Sequence, residues 1–95
     1  DLIVTGEGKL DKQTCMGKTP FGVLQAGVRQ DIPVIVMGGS VEEVEALNKS
    51  GFLAVLPLLP YPVSLEQAMD KDFTCRNIGR ALEQQLRVIH YYMNH

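Results

Sequence analysis

The sequence has no excess of charge of either sign. Nine Lys and Arg stand against eleven Asp and Glu, a formal net charge of −2. That balance leaves no basic footprint for nucleic acid and no polybasic patch for an anionic membrane surface. Cysteine is scarce. Cys15 and Cys75 are the only two, neither belongs to a C-x-x-C pair, and no Cys/His cluster has zinc-ligand spacing. Free thiols in a reducing cytoplasm are the simplest reading of such a pair; a single structural disulfide is the alternative. Long apolar runs are missing too. The longest, residues 53–59, is interrupted by Pro57 and is far shorter than a bilayer span requires. No charged-then-apolar leader with a small-residue cleavage site stands at the front. The chain starts at Asp1, without an initiator Met and directly on the strand-like Leu2-Ile3-Val4. The expectation is a segment of a longer cytoplasmic protein.

What is present is ordinary for a globular chain. Hydrophobic residues make up 45% and charged residues 21%, a balance that argues against disorder of the whole. Ninety-five residues make one domain at most. A chain of this size buries roughly 60–65% of its unfolded surface, so its core is limited.

The order of elements reads strand, Gly-rich loop, helix, strand, helix, strand, loop, long helix. Residues 2–5 form a short apolar run ending at Gly6, and the Gly-rich, charged residues 6–18 are expected to be a loop. Thr19-Pro20 resembles an N-cap followed by Pro at the first helical position. Val23, Leu24, Gly27 and Val28 share a face of the helix that follows, which should end near Gln30. Val34-Ile35-Val36-Met37 is apolar throughout, the pattern of a strand buried on both faces in a parallel sheet. Gly38-Gly39 should end it. Ser40 and Glu43 have the spacing of a capping box for a helix carrying Val41, Val44, Ala46 and Leu47, with Gly51 as its stop. Residues 53–56 form the third strand. Ser64 and Gln67 make a second capping box, and a helix then runs to the end with a break expected near residues 70–74. Within it Cys75, Ile78, Leu82, Leu86, Ile89 and Met93 step by three and four along one face. The fold class is therefore α/β, a Rossmann-like βαβαβα arrangement with helices layered on both faces of a parallel sheet. Three strands are few for such a sheet, and further strands are expected elsewhere in a longer chain or a partner.

The segment from Thr5 to Thr14 holds the candidate chemistry. It follows a strand, where open α/β sheets place their ligands. Gly6 and Gly8 would let a ligand approach the backbone, Glu7 and Asp11 can hold Mg²⁺ or take a proton, and Lys9 and Lys12 can neutralise phosphate. A solvated turn that needs glycine for its φ angles is the plainer alternative. Gly17-Lys18-Thr19 looks like the end of a phosphate-binding G-x-x-x-x-G-K-[ST] loop, but Lys12 stands where the first Gly belongs. Gly6-x-Gly8-x-x-Asp11 lacks the third glycine of a dinucleotide fingerprint. What survives is Lys18 just before a helix N-terminus, a geometry that suits an anion, against the plainer reading of an exposed Lys near a cap. Gly38, Gly39 and Ser40 form a strand-to-helix turn that could hold phosphate or carboxylate, or could be a tight turn and an N-cap only. His90 and His95 fit no catalytic pairing, and the four Met are best read as core filler.

These residues are specific in combination. Asp1-Leu2-Ile3-Val4-Thr5-Gly6-Glu7-Gly8-Lys9-Leu10-Asp11, then Gln13, then Met16-Gly17-Lys18-Thr19-Pro20 and Gly22-Val23 closely resemble the C-terminal signature of type I glycerate kinases. The Pro33-Val34-Ile35 strand with Gly38-Gly39-Ser40, and the Leu59-to-Ala68 segment with its prolines and Ser64, are similar to later parts of the same family. The resemblance implies an enzyme that phosphorylates D-glycerate with ATP and Mg²⁺, mainly to 2-phosphoglycerate. It implies two α/β domains, of which this chain would be the C-terminal part of the Rossmann-like one. Glu7, Asp11 and Lys18 would then be catalytic, with Asp11 as the Mg²⁺ ligand. Gly6, Gly8, Gln13, Gly17, Gly38, Gly39 and Ser40 would line the substrate and nucleotide site. Two other readings stay open: an α/β module that binds a phosphorylated ligand without catalysis, and a purely structural piece that completes a sheet. The expected partners are glycerate and ATP, with no nucleic acid and no membrane. An open sheet edge and the apolar face of the last helix add an expectation of self-association.

Overall fold

The computed structural model of the chain describes residues 1–10, 19–59 and 62–94. It divides into two compact units, residues 1–57 and 58–95. In the first, strand β1 (Ile3–Leu10), helix α1 (Thr19–Arg29), strand β2 (Val34–Val41), helix α2 (Val44–Ser50) and strand β3 (Ala54–Pro57) alternate. The strands form one sheet in the order β1-β2-β3. Both pairings are parallel, with Ile3 opposite Val34, Gly6 opposite Met37, and Ile35 opposite Ala54. This is the sheet that an uninterrupted Val34-Ile35-Val36-Met37 calls for, and all four residues are buried.

Leu24 of α1 and Leu47 of α2 belong to one buried cluster with Leu10, Val34, Val36 and Phe52. Both helices therefore cover the same face of the sheet, as two right-handed crossovers between neighbouring strands require. Gly27 brings α1 close to β2, because a methyl group there would stand 2.5 Å from Val34 Cγ2. The helix then closes with Asp31 in the left-handed region (φ 56°). The Ile32 N–H donates to the Gly27 carbonyl at 2.8 Å and the Asp31 N–H to that of Val28 at 3.2 Å, a Schellman ending. Gly51, at φ 126°, ends α2 as expected.

Several boundaries differ from the sequence reading. Gly6 to Leu10, expected in the loop, lie in β1, and the rest of that expected loop, residues 11–18, is outside the described residues. Gly38, Gly39 and Ser40 are strand residues of β2, and the expected turn does not form there. Parallel pairing explains both shifts, since two neighbouring strands satisfy each other's backbone groups that glycine-rich segments would otherwise leave open. Val41 belongs to β2, and the N-cap of α2 is Glu43, in a left-handed conformation with no side-chain cap. The Ser40–Glu43 capping box is thus absent. Val28, expected on the buried face of α1, is 66% exposed.

The second unit holds α3 (Leu65–Ala68) and α4 (Lys71–Asn94). The Gln67 N–H donates to Ser64 Oγ at 3.1 Å, and the Phe73 N–H to Asp70 Oδ1 at 3.0 Å. Each helix thus starts on its own side-chain cap, and the expected break falls at Met69–Asp70. Phe73 and Asn77 are the buried residues of α4. The predicted apolar stripe is a different face: Cys75, Leu86 and Met93 on it are exposed. Periodicity identifies an apolar face, and a face is buried only where another surface receives it.

Candidate functional site: the carboxyl ends of β1 and β2

Parallel alignment sets the carboxyl ends of β1 and β2 side by side. Glu7 stands opposite Gly38, and Lys9 opposite Ser40. Of the residues expected at the site, Gly6, Glu7, Gly8, Gly38, Gly39 and Ser40 are brought together on these two strands. Asp11, Gln13, Gly17 and Lys18 lie outside the described residues, as does Cys15. Cys75 is a free thiol.

The glycines divide into two kinds. A methyl group at Gly39 would stand 3.0 Å from the Gly8 carbonyl oxygen, and one at Gly38 would stand 2.6 Å from Leu10 Cγ and Cδ1. Leu10 is fully buried, so it has little freedom to give way. Gly38 and Gly39 let β1 and Leu10 seat against β2, and they do so from a strand and not from the expected turn. Among the described residues, nothing lies within 4 Å of a methyl group at Gly8, and one at Gly6 would meet the Met37 carbonyl oxygen at 3.5 Å. No described residue crowds Gly8, although it holds a strand position where glycine is conformationally unfavourable.

Glu7 is half-buried, and its Oε1 accepts the Gly8 N–H at 3.2 Å. The carboxylate keeps lone pairs to spare. Lys9 and Ser40 are exposed. The Leu10 carbonyl accepts the Glu42 N–H at 2.7 Å, which brings Glu42 and the left-handed Glu43 to the same sheet end. Their signal in the sequence is a pair of carboxylates directly after a strand, which the Ser40–Glu43 spacing disguises as a helix cap. Among the described residues no group of three or more His, Cys, Asp and Glu is placed to share a metal ion. Mg²⁺ bound with a nucleotide commonly takes only one or two protein carboxylates, the rest of its shell being phosphate and water. Glu7, a carboxylate with unused lone pairs, has the donor type for such a ligand.

The sequence pattern of the glycerate kinase family matches residues 1–90. The chain belongs to that family. It is 42% identical over 89 residues to a glycerate kinase of Bacillus subtilis, covering 87% of this chain and 23% of the relative. With a glycerate kinase of Bacillus cereus the identity is 45% over 85 residues, 83% of this chain and 22% of the relative. With the glycerate 2-kinase of Escherichia coli it is 35% over 81 residues, 84% and 21% respectively. The chain thus spans about a fifth of the length of these relatives. No solved structure matches it. Among the described residues no helix is long and apolar enough to cross a membrane.

Proposed function

We propose that this chain forms part of the active site of an ATP-dependent glycerate kinase, a cytoplasmic enzyme that phosphorylates D-glycerate mainly to 2-phosphoglycerate. The observation that carries the reading is the coincidence of two things at one place. The family match runs through the Gly6-Glu7-Gly8 motif, and from that motif parallel strand β1 runs on to its carboxyl end at Leu10, the side on which α/β sheets hold ligands.

In the proposed reaction the substrate hydroxyl oxygen bonds to the γ-phosphorus of ATP, the bond from that phosphorus to the bridging oxygen breaks, and ADP leaves. Glu7 or Asp11 takes the hydroxyl proton. Lys18 offsets the charge that builds on the transferring phosphoryl group, and Asp11 holds Mg²⁺, which supplies further charge neutralisation when bound. Transfers of this kind depend on positioning and electrostatics more than on covalent chemistry. Gly6, Gly8, Gln13, Gly17, Gly38, Gly39 and Ser40 border the substrate and nucleotide.

Two consequences belong to the same reading. The 95-residue chain by itself does not turn over, because one strand end supplies only part of a two-substrate site. The chain also associates with itself, because it carries exposed Leu, Val, Tyr and Met side chains and an open sheet edge. The decisive experiment places Asp11→Asn and Glu7→Gln in a polypeptide of the relatives' full length that ends in this segment. ADP release is then followed with D-glycerate and Mg-ATP. A loss of turnover of two orders of magnitude or more, with unchanged folding, is expected for at least one variant. Near-normal turnover in both would return these acids to a structural role.

A further inference from the structure

Lys9 is one residue from the carboxyl end of β1, and Ser40 is one residue from that of β2. The two are register partners, and both are exposed. Partner positions on neighbouring strands stand about 5 Å apart on one face of the sheet. An ammonium and a hydroxyl are thus side by side as donors where α/β sheets hold ligands. The charge around them is uneven. Among the described residues at this end of β1 and β2, Glu7, Glu42 and Glu43 are acidic and Lys9 is the one cation. A ligand group with several negative charges would meet three carboxylates and a single ammonium. A group with one negative charge is matched by that ammonium alone.

We infer that Lys9 and Ser40 bind the carboxylate of the glycerate, one oxygen accepting from the Lys9 ammonium and the other from the Ser40 hydroxyl. The inference rests on the glycerate kinase reading and adds which group of the substrate these two side chains take. A carboxylate fits them in charge and in its two acceptor oxygens, and hydrogen bonds to ionised partners are the strong ones. An ammonium has three N–H donors, enough for a carboxylate and a neighbouring protein group at once. The spacing along β1 also fits. Glu7 lies two residues before Lys9, about 7 Å along the strand. In glycerate the carboxylate and the C2 hydroxyl sit on adjacent carbons. A carboxylate anchored at Lys9 and Ser40 leaves that hydroxyl on the side of Glu7, one of the two acids given the role of base above.

The test is steady-state kinetics, in D-glycerate and in Mg-ATP, of a polypeptide of the relatives' full length that ends in this segment. Lys9→Met should raise KM for glycerate roughly ten- to a hundredfold, the loss of a hydrogen bond between charged groups, and leave KM for ATP within about twofold. Ser40→Ala should raise KM for glycerate by less. Lys9→Arg keeps a cationic donor and should restore most of the glycerate affinity. In all three kcat should change little, because a contact to a group that does not react holds ground state and transition state alike. Circular dichroism and the melting temperature check folding, and Ser40→Ala, which deletes one exposed oxygen, decides the matter if Lys9→Met does not fold. An unchanged KM for glycerate in the folded variants, with or without a loss of stability, would overturn the carboxylate assignment, as would a rise confined to ATP. Either result leaves the kinase reading standing. An unsubstituted enzyme that does not turn over glycerate would overturn both.

Discussion

Replacing Gly27 by Ala sets two effects of known sign against each other. In an exposed helix interior the change stabilises by about 1 kcal/mol, since alanine is the better helix former. At Gly27 the new methyl group would stand 2.5 Å from Val34 Cγ2 and 2.8 Å from the Ile32 carbonyl oxygen. Val34 is 1% exposed, and the Ile32 carbonyl is main chain in the turn that the Ile32-to-Gly27 hydrogen bond closes. Neither can move without shifting α1 away from β2. Overpacking of this kind costs about 1–3 kcal/mol. With two rigid neighbours the upper half of that range applies, and the net expectation is a loss of about 1–2 kcal/mol. For a domain this size that lowers Tm by roughly 4–15 °C. Gly22→Ala in the same helix is the matched control, because no described residue lies within 4 Å of the added methyl; it should leave Tm unchanged or raise it. Thermal unfolding by circular dichroism, at one fixed protein concentration, reads both. A Gly27→Ala chain as stable as the original would refute the close approach of α1 to the sheet.

Leu47 is fully buried in the cluster formed by β2, α1 and α2, so Leu47→Ala should cost about 2–5 kcal/mol and move the urea midpoint down sharply. Asp70→Ala removes the acceptor of the Phe73 N–H; a loss of about 1 kcal/mol is expected, read as reduced helicity near the melting transition. Glu43 holds a left-handed conformation at φ 59°. Glu43→Gly relieves that strain at some cost in unfolded-chain entropy, for a net gain of roughly 0.5–1 kcal/mol by chemical denaturation; a destabilised variant would show that Glu43 has another role.

The sequence by itself determined the α/β class, because an unbroken apolar strand between two helical patterns has few homes other than a parallel sheet. It also determined local punctuation. Gly51, Ser64 and the break at Asp70 act through residues one to four positions away, and such short-range chemistry does not wait for a fold. The family motif around Gly6-Glu7-Gly8 was equally legible. Tertiary structure alone decided how far the strands run. Gly6 to Leu10 and Gly38 to Ser40 read as loop and turn in isolation, and each becomes strand because the other pairs with it. It decided that Gly38 and Gly39 make room for Leu10 and Gly8. No property of a glycine in sequence distinguishes a position crowded by a neighbouring strand from one like Gly8 that no described residue crowds. It also decided which faces are buried. The stripe through Leu82 and Leu86 and the face through Phe73 and Asn77 lie on the same helix. Periodicity marked the first, while burial fell on the second, because burial depends on a surface to pack against and not on the helix alone.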